Sequence, residues 1–364
     1  MNSEEIILWL MDSDDPVIRY RTYHELSINK DESLEPQLRK ELLKSSIVQK
    51  WVHKLEYTKE QIKEFLTVDD KSFMWRFWTL FHGSKNTCAE NYLYKLQQLG
   101  LDSSFTEYDN LVIKIIPALD KAKNHPPKFL HNFASRLFSG IGYYSHVKEY
   151  YKRRFQLLTE TIQKTDYDIY LNPEEATFKF PSKYSHALVK SEYIIDDQLT
   201  LPQTYDLFAF THLRSENDEF QIKIDKIVET ILDERYQQLK QGFGYGLYSN
   251  GRVYGIGYKV SLPGFFEFNP SEITSDFLIK VFLMSHLPSV TQHKWFKQCI
   301  EYLENHKTDQ GIYKFPAKIM KEGTSGYFIK GAYMGLCQNR RLATSKELES
   351  TFWMMKIKKN ARLD

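Results

Sequence analysis

The sequence is short of the residues that announce common chemistries. Cysteine occurs three times, as Cys88, Cys299 and Cys337. The count is odd, the spacings are wide and no CxxC pair exists, so neither a disulfide framework nor a cysteine zinc site is expected. The 11 histidines make no HExxH and no i, i+4 pair. No metal and no cofactor is therefore expected. GxSxG, the signature of a serine nucleophile on a strand-to-helix turn, does not occur. Charge of one sign is missing too: 49 Lys and Arg stand against 47 Asp and Glu, a formal balance of +2. A nucleic-acid partner would call for a basic excess or stripe, and none is expected. No apolar run is long enough to cross a bilayer. The opening Asn2-Ser3-Glu4-Glu5 is acidic where a signal peptide is basic, which points to a cytoplasmic protein.

What the sequence has in quantity is aromatic rings: 24 Tyr, 24 Phe and 6 Trp, or 15% of 364 residues. Rings fill cores, and they also line ligand cavities.

The pattern along the chain reads as helix. Trp295, Phe296, Cys299, Ile300 and Leu303 form one apolar stripe, with Thr291 as the expected N-cap. A polar turn at Asp309-Gln310-Gly311 follows, and then the aromatic anchor Ile312-Tyr313-Lys314-Phe315-Pro316. At the other end, Ser3 to Met11 is one helix. Asp15 caps a second that starts at Pro16 and runs through Leu26. Leu34 to Leu43 is a third, and Ser45 or Ser46 caps a fourth through Leu55. Residues 1–60 thus read as HEAT-like entry helices. Further helices are expected near Tyr92–Leu99, Leu111–Ala122, His146–Gln163, Leu207–His212, Ile222–Leu239, Ser271–Ser285, Tyr327–Leu336 and Ser345–Met355. Glycines at 242, 244, 246, 251, 255 and 257 mark residues 242–262 as a small β-hairpin insertion. They follow a helix, so they do not make a nucleotide-binding loop. Phe178-Lys179-Phe180-Pro181 echoes Tyr313-Lys314-Phe315-Pro316 as a short internal repeat. No linker divides the chain, and a single domain over 1–364 is expected.

The unit Ile300-Glu301-Tyr302-Leu303-Glu304-Asn305-His306, followed by Asp309-Gln310-Gly311-Ile312-Tyr313, resembles a repeat of the prenyltransferase and squalene-cyclase superfamily. The N-terminal Trp9-Leu10 with Asp15-Pro16-Val17-Ile18-Arg19-Tyr20, and the C-terminal Gly331 to Met354, resemble uncharacterised bacterial proteins grouped with it. The resemblance implies an all-α fold, an α/α toroid in which helical hairpins close into a ring. It implies a terpenoid-cyclase-like protein that binds an apolar or amphipathic small molecule in an aromatic-lined central cavity. The alternatives are a carbohydrate-active toroid enzyme and a non-enzymatic helical scaffold with a protein partner.

Candidate site residues follow from these readings. Asp12-Ser13-Asp14-Asp15 spells the DxDD of class II terpene cyclases, but it lies in a turn before Pro16, where Asp serves as a cap. Asp166 and Asp168 are the candidate catalytic carboxylates of the carbohydrate reading. Tyr327 and Tyr333 are candidate ligand-binding residues on one helix. Arg340 and Arg341 are placed to clasp an anion or to pair with Glu349.

Overall fold

The computed structural model describes residues 1–82, 88–125, 128–172, 174, 187–213, 218–323 and 330–363. Helices dominate. In chain order they are α1 (Ser3–Met11), α2 (Pro16–Glu25), α3 (Glu35–Lys44), α4 (Ser46–Leu66), α5 (Asp70–Phe81), α6 (Ala89–Gln98), α7 (Thr106–Val112), α8 (Ile116–Ala122), α9 (Phe129–Gly140) and α10 (Tyr144–Ile162). After a stretch of short strands come α11 (Thr204–Leu213), α12 (Asp218–Ile231), α13 (Glu234–Gln238), α14 (Phe277–Met284), α15 (Pro288–Thr291), α16 (Lys294–Glu304) and α17 (Ala343–Ala361). The strands are β1 (Tyr170–Leu171), β2 (Leu188–Val189), β3 (Ile194–Ile195), β4 (Gln198–Leu199), β5 (Tyr245–Leu247) and β6 (Val253–Gly255). Among the described residues, no helix is long and apolar enough to cross a membrane.

The chain packs as two compact units. The first comprises 1–63, 83–114 and 263–364. The expected start of α1 and α2 is found there. Asn2 and Glu5 form a reciprocal capping box. Asp15 caps α2 by accepting from the Val17 and Ile18 N–H groups, with Pro16 in the first turn. α2 packs on α1, α3 and α17. α17 is nearly unbroken in burial from Leu348 to Met355. Its Thr351 and Ser350 hydroxyls accept the Tyr313 and Phe315 N–H groups at 2.9 and 3.0 Å, which fastens the aromatic anchor to the helix. The turn before it carries Gly311 at φ +87°, a conformation that side chains resist.

Two expected features of this unit are corrected. Thr291 closes α15 instead of capping α16, whose cap is His293, accepting from the Trp295 N–H at 3.2 Å. Pro288 starts the extra short helix, and the chain must break before Lys294 begins the next. The expected helix Tyr327–Leu336 does not form over residues 331–336. Gly331 has φ +66°, and the Tyr333 N–H goes to the Ser275 carbonyl at 2.9 Å instead of up a helix. Tyr327 itself lies outside the described residues, as does Phe178–Pro181.

The second unit comprises 64–82 and 115–262. Its centre is α9 packed on α10 and α11, with α12 against α10. α10 presents Val147, Tyr150, Tyr151, Arg154, Phe155 and Leu158 as one buried stripe at helical spacing. α11 is buried from Thr204 to Phe210. The glycine-rich segment forms the expected hairpin, β5 with β6. It does not stand alone: β5 also runs parallel to β2, and β1 completes a four-stranded sheet. Gly244, at φ +108°, lets the backbone close on Ala187, whose carbonyl accepts the Tyr245 N–H at 2.8 Å. The expected helix Ile222–Leu239 is two, because Asp233 ends one and caps the other. Leu111–Ala122 likewise divides, with Pro117 in the first turn of α8.

Candidate functional site

The first unit gathers three of the expected site residues. Glu349, on α17, is 1% exposed. Its Oε1 accepts the Leu336 and Cys337 N–H groups at 2.9 and 2.8 Å and Arg340 Nε at 3.2 Å. Its Oε2 accepts the Tyr333 hydroxyl. Arg340 also donates to the Met320 carbonyl at 2.5 Å and lies 3.7 Å from Glu322. Lys95, buried on α6, reaches Glu322 Oε1 at 2.9 Å and donates to the Gly335 carbonyl. Two cations thus face two carboxylates. Burial pulls the Lys95 pKa down, with Glu322 opposing. Burial acts in the same sense on Arg340, but Glu349 overrides it and raises the pKa. Burial and the Glu349 charge push the Tyr333 phenol well up. Glu349 takes its ion pair from Arg340, whereas Arg341 is exposed and uses its backbone N–H on the Asn339 side chain. Charges are balanced and both Glu349 oxygens are engaged, so this network ties the 331–340 segment to α17.

The other expected acids lie elsewhere. Asp166 is exposed and accepts the Asp168 N–H at 2.9 Å, a bond that lowers its pKa. Asp168 pairs with Lys190 at 2.7 Å. Tyr167 between them has φ +67°, so the three residues form a tight surface turn. A general acid needs a raised pKa, and Asp166 is shifted the opposite way. Asp15 is buried, and burial raises its pKa. Its Oδ1 serves as the α2 cap, and its Oδ2 accepts the Gln338 N–H at 2.9 Å, as the structural reading of DxDD expects. Among the described residues, no three His, Cys, Asp or Glu side chains come together as metal ligands.

The second unit holds a site that the sequence reading missed. Asp206, in the first turn of α11, is fully buried. Its Oδ1 accepts Arg136 Nε from α9 at 2.5 Å and Arg154 Nε from α10 at 3.1 Å. Its Oδ2 accepts Arg154 Nη2 and, at 2.9 Å, the Gln203 N–H. Burial pushes the Asp206 carboxyl up, but the two guanidiniums outweigh it and hold the pKa low. Arg154 completes its bonding on the Leu199 and Leu201 carbonyls. Arg136 does not: Nη1 reaches the Asn132 carbonyl at 3.3 Å, while Nη2 is buried with no hydrogen-bond partner among the described residues. Two buried cations share one carboxylate.

Arg136 is also the inner end of a file of rings. Its guanidinium lies 4.6 Å from the Tyr205 ring centre and 5.6 Å from that of Tyr150. Tyr205 meets Phe133 edge-on at 5.2 Å, Phe133 meets His82 at 4.4 Å, and His82 meets Trp78 at 5.3 Å. Tyr254 flanks Trp78 at 6.0 Å and Tyr248 at 5.5 Å. Exposure falls along the file. Trp78, His82 and Tyr254 are half-buried, whereas Phe133, Tyr205, Tyr150 and Arg136 are buried. His131 stands beside Tyr150 at 6.1 Å. Burial lowers its pKa to about 4, so it adds no charge near neutral pH. The available signal in the sequence was Phe133-Ala134-Ser135-Arg136-Leu137-Phe138, an arginine set inside an apolar run.

Compared with protein-family models, curated proteins and solved structures, the chain matches none.

Proposed function

We propose that the protein binds an apolar or amphipathic small molecule along the ring file of the second unit, on a scaffold of the helical-ring kind that the sequence resemblance implies. The observation that carries this reading is the file itself, from half-buried Trp78 and His82 through Phe133 and Tyr205 to the Arg136 guanidinium. Ligand sites combine aromatic walls with a few convergent polar groups, and this file has that composition. Here the rings at one end stay open to solvent. The reading is one of binding and assigns no reaction, because Asp166 and Asp168 sit on an exposed turn, where Asp168 pairs with Lys190.

The test is a thermal-shift and calorimetric comparison of phenylhexanol and farnesol with maltohexaose, on wild type and Trp78→Ala. The apolar alcohols are expected to raise the melting temperature of wild type and to do so less in Trp78→Ala. A shift with the oligosaccharide alone, or with none of the compounds, contradicts the reading.

A further inference from the structure

We propose that the ligand carries a carboxylate head, received by Arg136 Nη2 and the Tyr150 hydroxyl at the inner end of the ring file. This rests on the binding reading above and names the chemistry of the head.

Arg136 Nη2 and Tyr150 OH are both buried, and neither has a hydrogen-bond partner among the described residues. They belong to adjoining groups, since the Arg136 guanidinium lies 5.6 Å from the Tyr150 ring centre. A buried donor without an acceptor is costly, and one on a charged group more so. The ring faces of Tyr205 and Tyr150 attract the cation but present no oxygen to Nη2. An oxygen-bearing anion at this point would accept from Nη2 and from the phenol together.

The charge count selects among anions. Arg136, Arg154 and Asp206 leave one positive charge uncompensated within the cluster. Every nitrogen of Arg154 is engaged, by Asp206 and by two backbone carbonyls, so the excess is presented by Arg136. A carboxylate brings one negative charge and two acceptor oxygens, and cancels the excess. A phosphate monoester dianion would overshoot and leave net negative charge in a buried place. A neutral alcohol could satisfy a donor but not the charge.

The experiment titrates phenylhexanoate, phenylhexanol and phenylhexyl phosphate into the full chain by isothermal calorimetry. The tail is common to all three, so differences report the head. Phenylhexanoate is expected to bind at least about 10-fold more tightly than phenylhexanol, the scale of one charge-assisted hydrogen bond. It is also expected to bind more tightly than the phosphate. Tyr150→Phe removes only the hydroxyl and is expected to cut the preference for the acid over the alcohol several-fold. Arg136→Met removes the excess cation, keeps the Arg154–Asp206 pair, and is expected to abolish that preference. Equal binding of acid and alcohol overturns the head assignment and leaves the ring-file reading standing. So does tighter binding of the phosphate, or a preference unchanged in both variants. Binding of none of the three overturns both.

Discussion

Arg136 Nε and Asp206 Oδ1 lie 2.5 Å apart with both side chains buried, and Arg154 shares the same carboxylate. The pair is asymmetric in consequence. Removing Asp206 leaves two guanidiniums buried side by side, whereas removing Arg136 leaves a balanced pair. Asp206→Ala is therefore expected to lose about 3–5 kcal/mol of stability. Arg136→Met is expected to stay within about 1 kcal/mol of wild type, because it replaces a buried excess charge with an apolar chain. Urea unfolding of the two variants checks both values.

The Glu349 network makes a second expectation. Its carboxylate accepts from Tyr333, Arg340 and the Leu336 and Cys337 N–H groups. Glu349→Ala strands these donors and is expected to cost about 3–5 kcal/mol. Tyr333→Phe removes one hydroxyl and is expected to cost about 1–3 kcal/mol. The same unfolding assay orders them, with Glu349→Ala the more damaging.

Gly244→Ala tests the sheet. An added Cβ would lie 2.2 Å from the Ala187 carbonyl oxygen, and the residue has φ +108°. Both features oppose a side chain, so a loss of at least about 1–3 kcal/mol is expected. Gly251→Ala is the control for crowding, because its φ is also positive, at +72°, while among the described residues nothing lies within 4 Å of an added Cβ. Melting temperatures are expected to fall further for Gly244→Ala than for Gly251→Ala.

Glu25 sets a pH dependence. It meets Arg21 at 2.5 Å and Lys356 at 3.1 Å. Burial raises its pKa, but the two cations outweigh this and bring it from 4.5 down to about 2. A group whose folded pKa is depressed contributes stability that is fully present above its unfolded value. That contribution is lost as pH falls from near 4.5 toward 2. Glu25→Gln is expected to unfold more easily than wild type at pH 7, and the difference should shrink across that window. Urea midpoints measured from pH 7 to pH 2 follow it.

Local helix signals were largely legible in the sequence, and long-range placement was not. Asp15 with Pro16, and the stripe from Trp295 to Leu303, carry their structure in nearest neighbours, through capping and periodicity. Tyr333 misled because its N–H is claimed by Ser275, far away in the chain, which no local pattern records. α9 was missed because Arg136 and Asn132 interrupt its apolar face. They do so because Asp206, 70 residues on, supplies the partner for Arg136. The Arg340–Glu349 pair was legible because the two are nine residues apart and join a helix to the segment just before it. The ring file was not, since Trp78, Phe133 and Tyr205 come from three separated helices.

The measurement that bears most directly on the account is the fluorescence of Trp78 during titration with phenylhexanol, taken as wild type minus Trp78→Phe. A saturable change in that difference, which disappears in Phe133→Leu while the variant still unfolds cooperatively, is the expected result. A difference signal that does not respond to the ligand, or a wild-type response reproduced in full by Trp78→Phe, would contradict the ring file as a binding site.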